Sequence, residues 1–444
     1  MKTSRTRSSR ATSRRDARLY PWEDATRIPD LIVIGAGYSG LTAALRAAEG
    51  GRRVLLLSKG LGTTHWAGGP LDVMGYFPVD SSTPVRSPDA ALAQVVADNP
   101  QHPYARVRRG DLVEAFAALQ QAAAAHGLSY VGGLDRNMML PTPVGGLKPS
   151  AFAPKVMAAG ELRPGDKALI LSFNRLSDFF PALLAANLTV QGIEARGVGL
   201  DVPAIDRLKV MTPVLLAQLL DDPGTRKEAI RMAKAALGRE TRVGFPAVLG
   251  FQRSAEVIAD FERALGVPVF EIPTLPPSVT GYRLFNALRT RLESRGVRII
   301  IGSQVIASET SGGRATTIVT EAAGQRGVRY SAPDFILATG GIQGGGMLAE
   351  YGGKVREVIF DLPVTAPESQ TAWTDPRFLA PQGQPLYRSG VVVNDALQPL
   401  DTAGLVALEN VRVVGSALGH WDAWREKSHE GVCLATAWRA VGAL

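Results

Sequence analysis

The sequence predicts an α/β chain: a Rossmann-like FAD/NAD(P)-binding fold carrying an inserted α+β cap domain. Three observations point there. "DLIVIGAGYSG" joins a short β-rich run to glycines in G-x-G-x-x-G spacing. "LTAALRAAEGG" then reads as a helix stopped by Gly50-Gly51, and "RRVLLLS" as the next buried strand. The chain has 444 residues, more than one compact core usually holds.

Each glycine of the turn has a separate task. Gly35 permits the tight turn, Gly37 lets a pyrophosphate approach the backbone, and Gly40 lets helix and strand pack closely. Ser39 sits in the same turn. The helix start behind it offers unpaired N–H groups to a phosphate. A Rossmann site usually ends its second strand in Asp or Glu, which holds the ribose hydroxyls. Here that end reads Leu57-Ser58-Lys59. Ser58 supplies one hydrogen bond and Lys59 reaches a phosphate. Ordinary NAD binding thereby loses support, leaving FAD held differently, or FMN.

Along the rest of the chain, residues 76–104 are rich in Pro, Asp and Ser and read as a surface excursion. "DLVEAFAALQQAAAAHG" is an amphipathic helix running from a cap at Asp111 to Gly127. "GGLDRNMMLPTPVGGLKPSAFAP" reads as a connector into an insertion. Within that insertion "KALILSF" is a core strand, followed by helix, and a polar helical region runs from Pro213 to Gly238. "DFILATGGIQGGG" is a buried strand ending in glycines, and "NVRVVGSALGH" is a further strand with its turn. A last helix spans about 430–441. The flavin-binding domain is therefore expected in two pieces, 28–140 and 275–444. The insertion, 141–274, caps it and leaves the substrate site at the interface.

Composition narrows the function. Hydrophobic residues make up 45% and charged residues 20%, as in soluble enzymes. The net charge of +8 comes largely from residues 1–18, which hold seven Lys/Arg against Asp16. The other 426 residues carry 42 basic and 40 acidic groups, so the body gives little support to nucleic-acid binding. Residues 1–27 are Arg/Ser-rich without an apolar stripe and are expected to be a disordered basic tail. Cys433 is the only cysteine, which excludes an internal disulfide and a four-cysteine cluster. No run reaches the ~18 apolar residues of a spanning helix. The expected location is the cytoplasm, or the inner face of the membrane through a partner protein.

"LLLSKG…TTHWAGG" resembles the flavoprotein subunits of the succinate dehydrogenase and fumarate reductase superfamily. In that family a Ser-Lys follows the second strand, and a Thr-containing loop ends in Gly-Gly against the flavin. The resemblance implies cofactor contacts at Thr64, Gly68 and Gly69. Several members bond a loop histidine covalently to the flavin. With Gly68-Gly69 aligned, that position is Gly62 rather than His65, which implies a non-covalent flavin; His65 reads as a loop histidine bonded to backbone. The resemblance also brings Gly340 and Gly415 beside the cofactor. It aims the start of "EGVCLATAW", at Gly431 and Val432, at the flavin pyrimidine edge.

"THWAGGPLDVM", "LPTPVGGLKPSAFAP", "FPAVLGF", "VFEIPTLPPSVTGYRLFNAL" and "EGVCLATAW" resemble one family more narrowly, the B subunit of the anaerobic, quinone-linked glycerol-3-phosphate dehydrogenase. That implies conversion of glycerol 3-phosphate to dihydroxyacetone phosphate. It also implies two partners of the same dehydrogenase: a larger FAD-carrying A subunit, and an iron–sulfur, membrane-anchoring C subunit. FMN is credited to the B subunit itself. Oxidising a secondary alcohol needs a base for the hydroxyl and cations for the phosphate. His420 is the candidate base, and Arg283 and Arg388 the candidate cations; His429 and Arg425 lie in segments bordering the flavin. No metal site is expected. Two other readings stay open: a stand-alone FAD-dependent dehydrogenase or reductase of another small molecule, and a flavin-containing structural or nucleic-acid-binding protein.

Overall fold

The computed structural model describes residues 28–321 and 327–444. The tail, 1–27, lies outside the described residues. Strand β1, Leu31–Ile34, leads through the glycine turn into helix α1, Tyr38–Glu49, and on to β2, Val54–Ser58. Helix α2 spans Arg109–Ala124. The insertion supplies β3 (Lys167–Phe173), β4 (Glu194–Leu200), β5 (Arg242–Pro246), helix α3 (Ser254–Leu265) and β6 (Val269–Ile272). Helix α4 (Val279–Ser294) returns the chain to β7 (Arg298–Ile301), β8 (Asp334–Leu337), β9 (Val411–Val413) and the final helix α5 (His429–Gly442).

Strands β7-β2-β1-β8-β9 form a five-stranded sheet in which every pairing is parallel. Numbered within their own unit they read 3-2-1-4-5. The strand order reverses between β1 and β8, where open α/β sheets bind ligands beyond the strands' carboxyl ends. Both strands at that point are apolar throughout their centres: Leu31, Ile32, Val33, Phe335, Ile336 and Leu337 are all 0% exposed. Such runs suit a sheet covered on both faces.

The insertion has its own parallel sheet, β6-β5-β3-β4, and its own hydrophobic core drawn from residues between 162 and 279. Two antiparallel ladders lie at its approach: Met138–Pro141 with Leu147–Ser150, and Tyr130–Gly132 with Phe152–Pro154. Local sequence explains several boundaries. Asp222 breaks the polar helical region in two, because its carboxylate accepts from Thr225 N and Pro223 begins the second helix. The helix expected to be capped at Asp111 starts at Arg109; Asp111 instead sits at N3 and accepts from Arg108 N at 3.0 Å, one half of a capping box. Part of the expected surface excursion is also helical, at Pro88–Asp98, capped by Ser87 on Ala90 N.

Candidate cofactor and substrate site

The glycine turn behaves as its three tasks require. At Gly35, φ is +117°, and a Cβ would run into Ala338 O on the neighbouring strand end. At Gly40 a Cβ would strike Gly35 O, so only glycine lets α1 pack on the turn. At Gly37 a Cβ meets nothing within 4 Å. That glycine faces open space, the surface a phosphate needs.

The space is a cavity of about 330 Å³ at the strand-order reversal. Gly35, Gly37, Ser58, Lys59 and Gly340 line it together with Gln304 and Val305. Ser58 Oγ donates to Gly60 O at 2.6 Å, which shapes the loop after β2. Lys59 Nζ lies directly over Gly345, where a Cβ would displace it. One buried polar atom in the lining, Thr339 Oγ1, has no protein partner. A buried polar group without a partner costs about 1–3 kcal/mol. The cavity thus holds what a dinucleotide-type cofactor would use: bare backbone, an ammonium and an unanswered hydroxyl.

Gly62 closes one side. Its φ is +71°, and a Cβ there would lie 2.6 Å from Gly37 N and 2.8 Å from Ala36 O. No side chain, histidine included, fits at that position. Burial lowers the pKa of His65, opposed by a backbone hydrogen bond with Gly62.

The remaining expected cofactor residues stand around this cavity rather than in its wall. Thr64 is 0% exposed and its hydroxyl has no partner. A Cβ on Gly68 would press on Pro273 of the insertion, and one on Gly69 on Met157 Sδ and Thr280. Both glycines therefore face the junction of the two units. Ser39 packs against Gly415, whose φ is +63°. Gly431 N donates to Asp72 O at 2.8 Å and Val432 N to Ser428 O at 3.0 Å. These two N–H groups, expected at the flavin edge, have protein partners. The glycine at 431 answers to packing, because a Cβ there would strike Tyr104 Oη.

Of the three expected catalytic residues, two come together. His420 and Arg388 line one cavity of about 300 Å³ with Asn99 and Ser389. Asn99 Nδ2 donates to His420 O at 2.7 Å, and His420 N donates to Arg388 O at 2.9 Å. His420 has φ +67°, a conformation that costs on the order of 1–3 kcal/mol and clusters at functional sites. Its Nε2 and the Ser389 hydroxyl are buried without partners. Burial, with the nearby Arg106 charge, holds the His420 pKa below its ordinary value.

Arg283 stands elsewhere. Its side chain is 5% exposed and pairs with the fully buried Glu271 at 2.7 Å, while its Nε donates to Gly250 O at 3.0 Å. It ties α4 to β6 and the loop after β5, so its expected catalytic role does not fit its place. Arg425 likewise holds Pro381 O.

A small cavity of about 40 Å³ has lining residues in common with both larger ones. It shares Gly340 and Gln343 with the first and Ser389 with the second, and is walled by Ser416, Trp424 and His429. The sequence does not single out Asn99, Gln304, Thr339, Ser389 or Ser416. The one available signal is the i, i+4 spacing of His429 and Cys433 on a helix, which puts them on one face.

The family description "FAD binding domain" matches residues 30–432. The B subunit of anaerobic glycerol-3-phosphate dehydrogenase from Yersinia pseudotuberculosis is 31% identical over 420 residues, covering 92% of this chain and 96% of the relative. The corresponding probable B subunit from Halobacterium salinarum is 35% identical over 424 residues, covering 93% and 96%. This chain belongs to the B-subunit family of anaerobic glycerol-3-phosphate dehydrogenase. Among solved structures, the open conformation of a flavocytochrome c3 fumarate reductase aligns over 94% of this chain and 78% of that one, at 9% identity and a TM-score of 0.43. As a member of the B-subunit family with an FAD-binding domain, the chain is a flavin-dependent oxidoreductase that binds its flavin non-covalently. Among the described residues, no helix is long and apolar enough to cross a membrane, and no group of three His, Cys, Asp or Glu side chains could hold a metal ion.

Proposed function

We propose that this protein oxidises glycerol 3-phosphate to dihydroxyacetone phosphate and passes the electrons to quinone through two partners, an FAD-carrying A subunit and an iron–sulfur C subunit. The observation that carries the reading is the near full-length match to B-subunit relatives. The two larger cavities support the reading. Gly37, Lys59 and Thr339, in the lining of the larger cavity, would hold the phosphate side of the flavin. A bound flavin would supply the hydride acceptor for the oxidation at C2. Arg388 and the Ser389 hydroxyl bind the substrate phosphate. His420 Nε2 takes the C2 hydroxyl proton, so C2–O becomes a carbonyl. Its lowered pKa suits the task, since the ring is neutral at neutral pH.

The composition supports the partner reading. With one cysteine, the chain lacks the ligands of a cysteine-held cluster. An iron–sulfur partner would carry onward the electrons that leave this flavin. The test is quinone reduction by glycerol 3-phosphate, run on the isolated chain and on the complex of all three. Little or no turnover alone and full turnover in the complex is the expected result. Full turnover alone would favour a stand-alone dehydrogenase. No turnover in a complex with all its flavins and clusters would reject the substrate.

A further inference from the structure

We propose that Asn99 is a positioning residue of the site: its amide holds the backbone of His420 in the conformation that presents Nε2 to the cavity. The proposal rests on the reading of His420 as the base.

His420 has left-handed backbone, with φ +67°. A residue with a side chain keeps that conformation only where its surroundings over-determine it. Here both backbone groups of His420 are taken. Its N–H donates to Arg388 O at 2.9 Å, and its C=O accepts from Asn99 Nδ2 at 2.7 Å. Among the described residues, this is the one side-chain hydrogen bond to His420. The neighbours on either side are pinned as well. Gly419 N donates to Val391 O at 3.3 Å, and the buried Trp421 donates through Nε1 to Leu418 O at 2.9 Å. The peptide that joins His420 to Trp421 is held by Asn99 alone. Its C=O is the group that Asn99 takes, and its N–H has no partner among the described residues.

Asn99 is fixed in its turn. It ends the Pro88–Asp98 helix, where its N–H donates to Val95 O at 2.9 Å and its C=O accepts from His102 N at 2.9 Å. Its Oδ1 accepts from Gln101 N at 3.2 Å, a local turn that leaves Nδ2 for His420. His102, 1% exposed, ties the same segment to the far side of the His420 loop. Its Nε2 lies 3.0 Å from Glu426 Oε2, and its Nδ1 accepts from Tyr104 N at 3.0 Å. The segment expected to be a surface excursion is thus built into the wall of the cavity, which Asn99 lines with Arg388, Ser389 and His420.

A base must stand within hydrogen-bond reach of the proton it takes. Without the Asn99 donor, His420 O is left unpaired, and its peptide is free to rotate back to right-handed or extended backbone. The Cβ then turns to another side of the chain and carries the imidazole out of line. A misplacement of about 1 Å at a reacting group costs on the order of 10²-fold in rate. Binding is touched less, because Arg388 and Ser389 hold the substrate phosphate in this reading.

The experiment measures flavin reduction by glycerol 3-phosphate in the complex, together with diethyl pyrocarbonate labelling of His420 in the whole chain. Peptide mapping singles out His420 among the five histidines. Asn99→Ala removes the amide. Asn99→Asp keeps the acceptor for Gln101 N and removes the donor, so a loss common to both belongs to the donor. Each should lower kcat on the order of 10²-fold with KM nearly unchanged, and His420 should label several-fold faster in each. In a His420→Gln background, Asn99→Ala should cost little more, because both changes act through one imidazole. Wild-type kcat and labelling in the two variants overturn the proposal, as does a full second loss in the His420→Gln background. If one variant fails to fold, the other decides. If His420→Gln reduces flavin at the wild-type rate, the base reading falls and labelling alone decides the positioning: an unchanged rate in Asn99→Ala overturns it.

Discussion

Arg283 shows how much of a residue's role lies in its partner. A basic residue early in a helix looks the same in sequence whether it meets a phosphate or a carboxylate. Its partner, Glu271, lies across a proline-rich hinge and is 0% exposed as a side chain. Removing one member of such a pair leaves an unpaired buried charge and costs about 3–5 kcal/mol, whereas apolar replacement of both is often near neutral. Arg283→Ala should therefore lose about that much stability in denaturant unfolding, with Arg283→Met plus Glu271→Leu recovering most of it. A loss below ~1 kcal/mol for the single variant would contradict this account. His420 gives the opposite case. It is legible as a candidate because it follows a strand-end loop, but its left-handed backbone and unpartnered Nε2 are not. Because its folded pKa is lowered, it is neutral at neutral pH and becomes protonated only below the ordinary histidine range. Flavin reduction by glycerol 3-phosphate in the complex should thus hold steady across neutral pH and fall as pH drops through the lowered value. His420→Gln should slow it by about 10²–10⁴-fold, the usual worth of a positioned base. An acid limb unchanged in His420→Gln would remove His420 from the role.

At the scale of elements, the β1–turn–α1 unit is legible because everything that shapes it is local. Three glycines, a buried strand and an Ala-rich helix follow one another without interruption. The structure adds a distinction among the glycines that their spacing does not show. A side chain at Gly35 or Gly40 strikes backbone, whereas one at Gly37 enters the cavity without touching protein. Gly37→Val should therefore fold with a thermal midpoint near wild type and bind no flavin. Gly40→Val should unfold earlier, because α1 can no longer sit on the turn. Full flavin occupancy in Gly37→Val would make the turn structural. Less is legible where distant segments meet. The cavity of Arg388, Ser389 and His420 is built by residues 99, 365–367, 385, 388–389 and 420, and no spacing rule links them. The Pro88–Asp98 helix reads as loop because Pro and Ser crowd its start, yet Ser-Pro is also how a capped helix begins.

Across the whole molecule, two parallel sheets with separate cores are connected through the Gly68-Gly69 turn, which touches Pro273 and Met157 of the insertion. The chain's length and proline-rich connectors lead the sequence reading to divide it. The parallel order of the inserted sheet is not legible there, since strand order depends on contacts far apart in sequence. We take 141–274 as the working limits of the inserted unit. The cavity at the glycine turn and the cavity of His420 each share lining residues with a third, small one that His429 helps to wall. Everything in this arrangement depends on a flavin bound without a covalent link. The most direct measurement is acid precipitation of the purified full-length chain, with flavin quantified in supernatant and pellet. A yellow protein that releases stoichiometric flavin to the supernatant is the predicted result. A colourless protein, or flavin that stays with the denatured polypeptide, would contradict it.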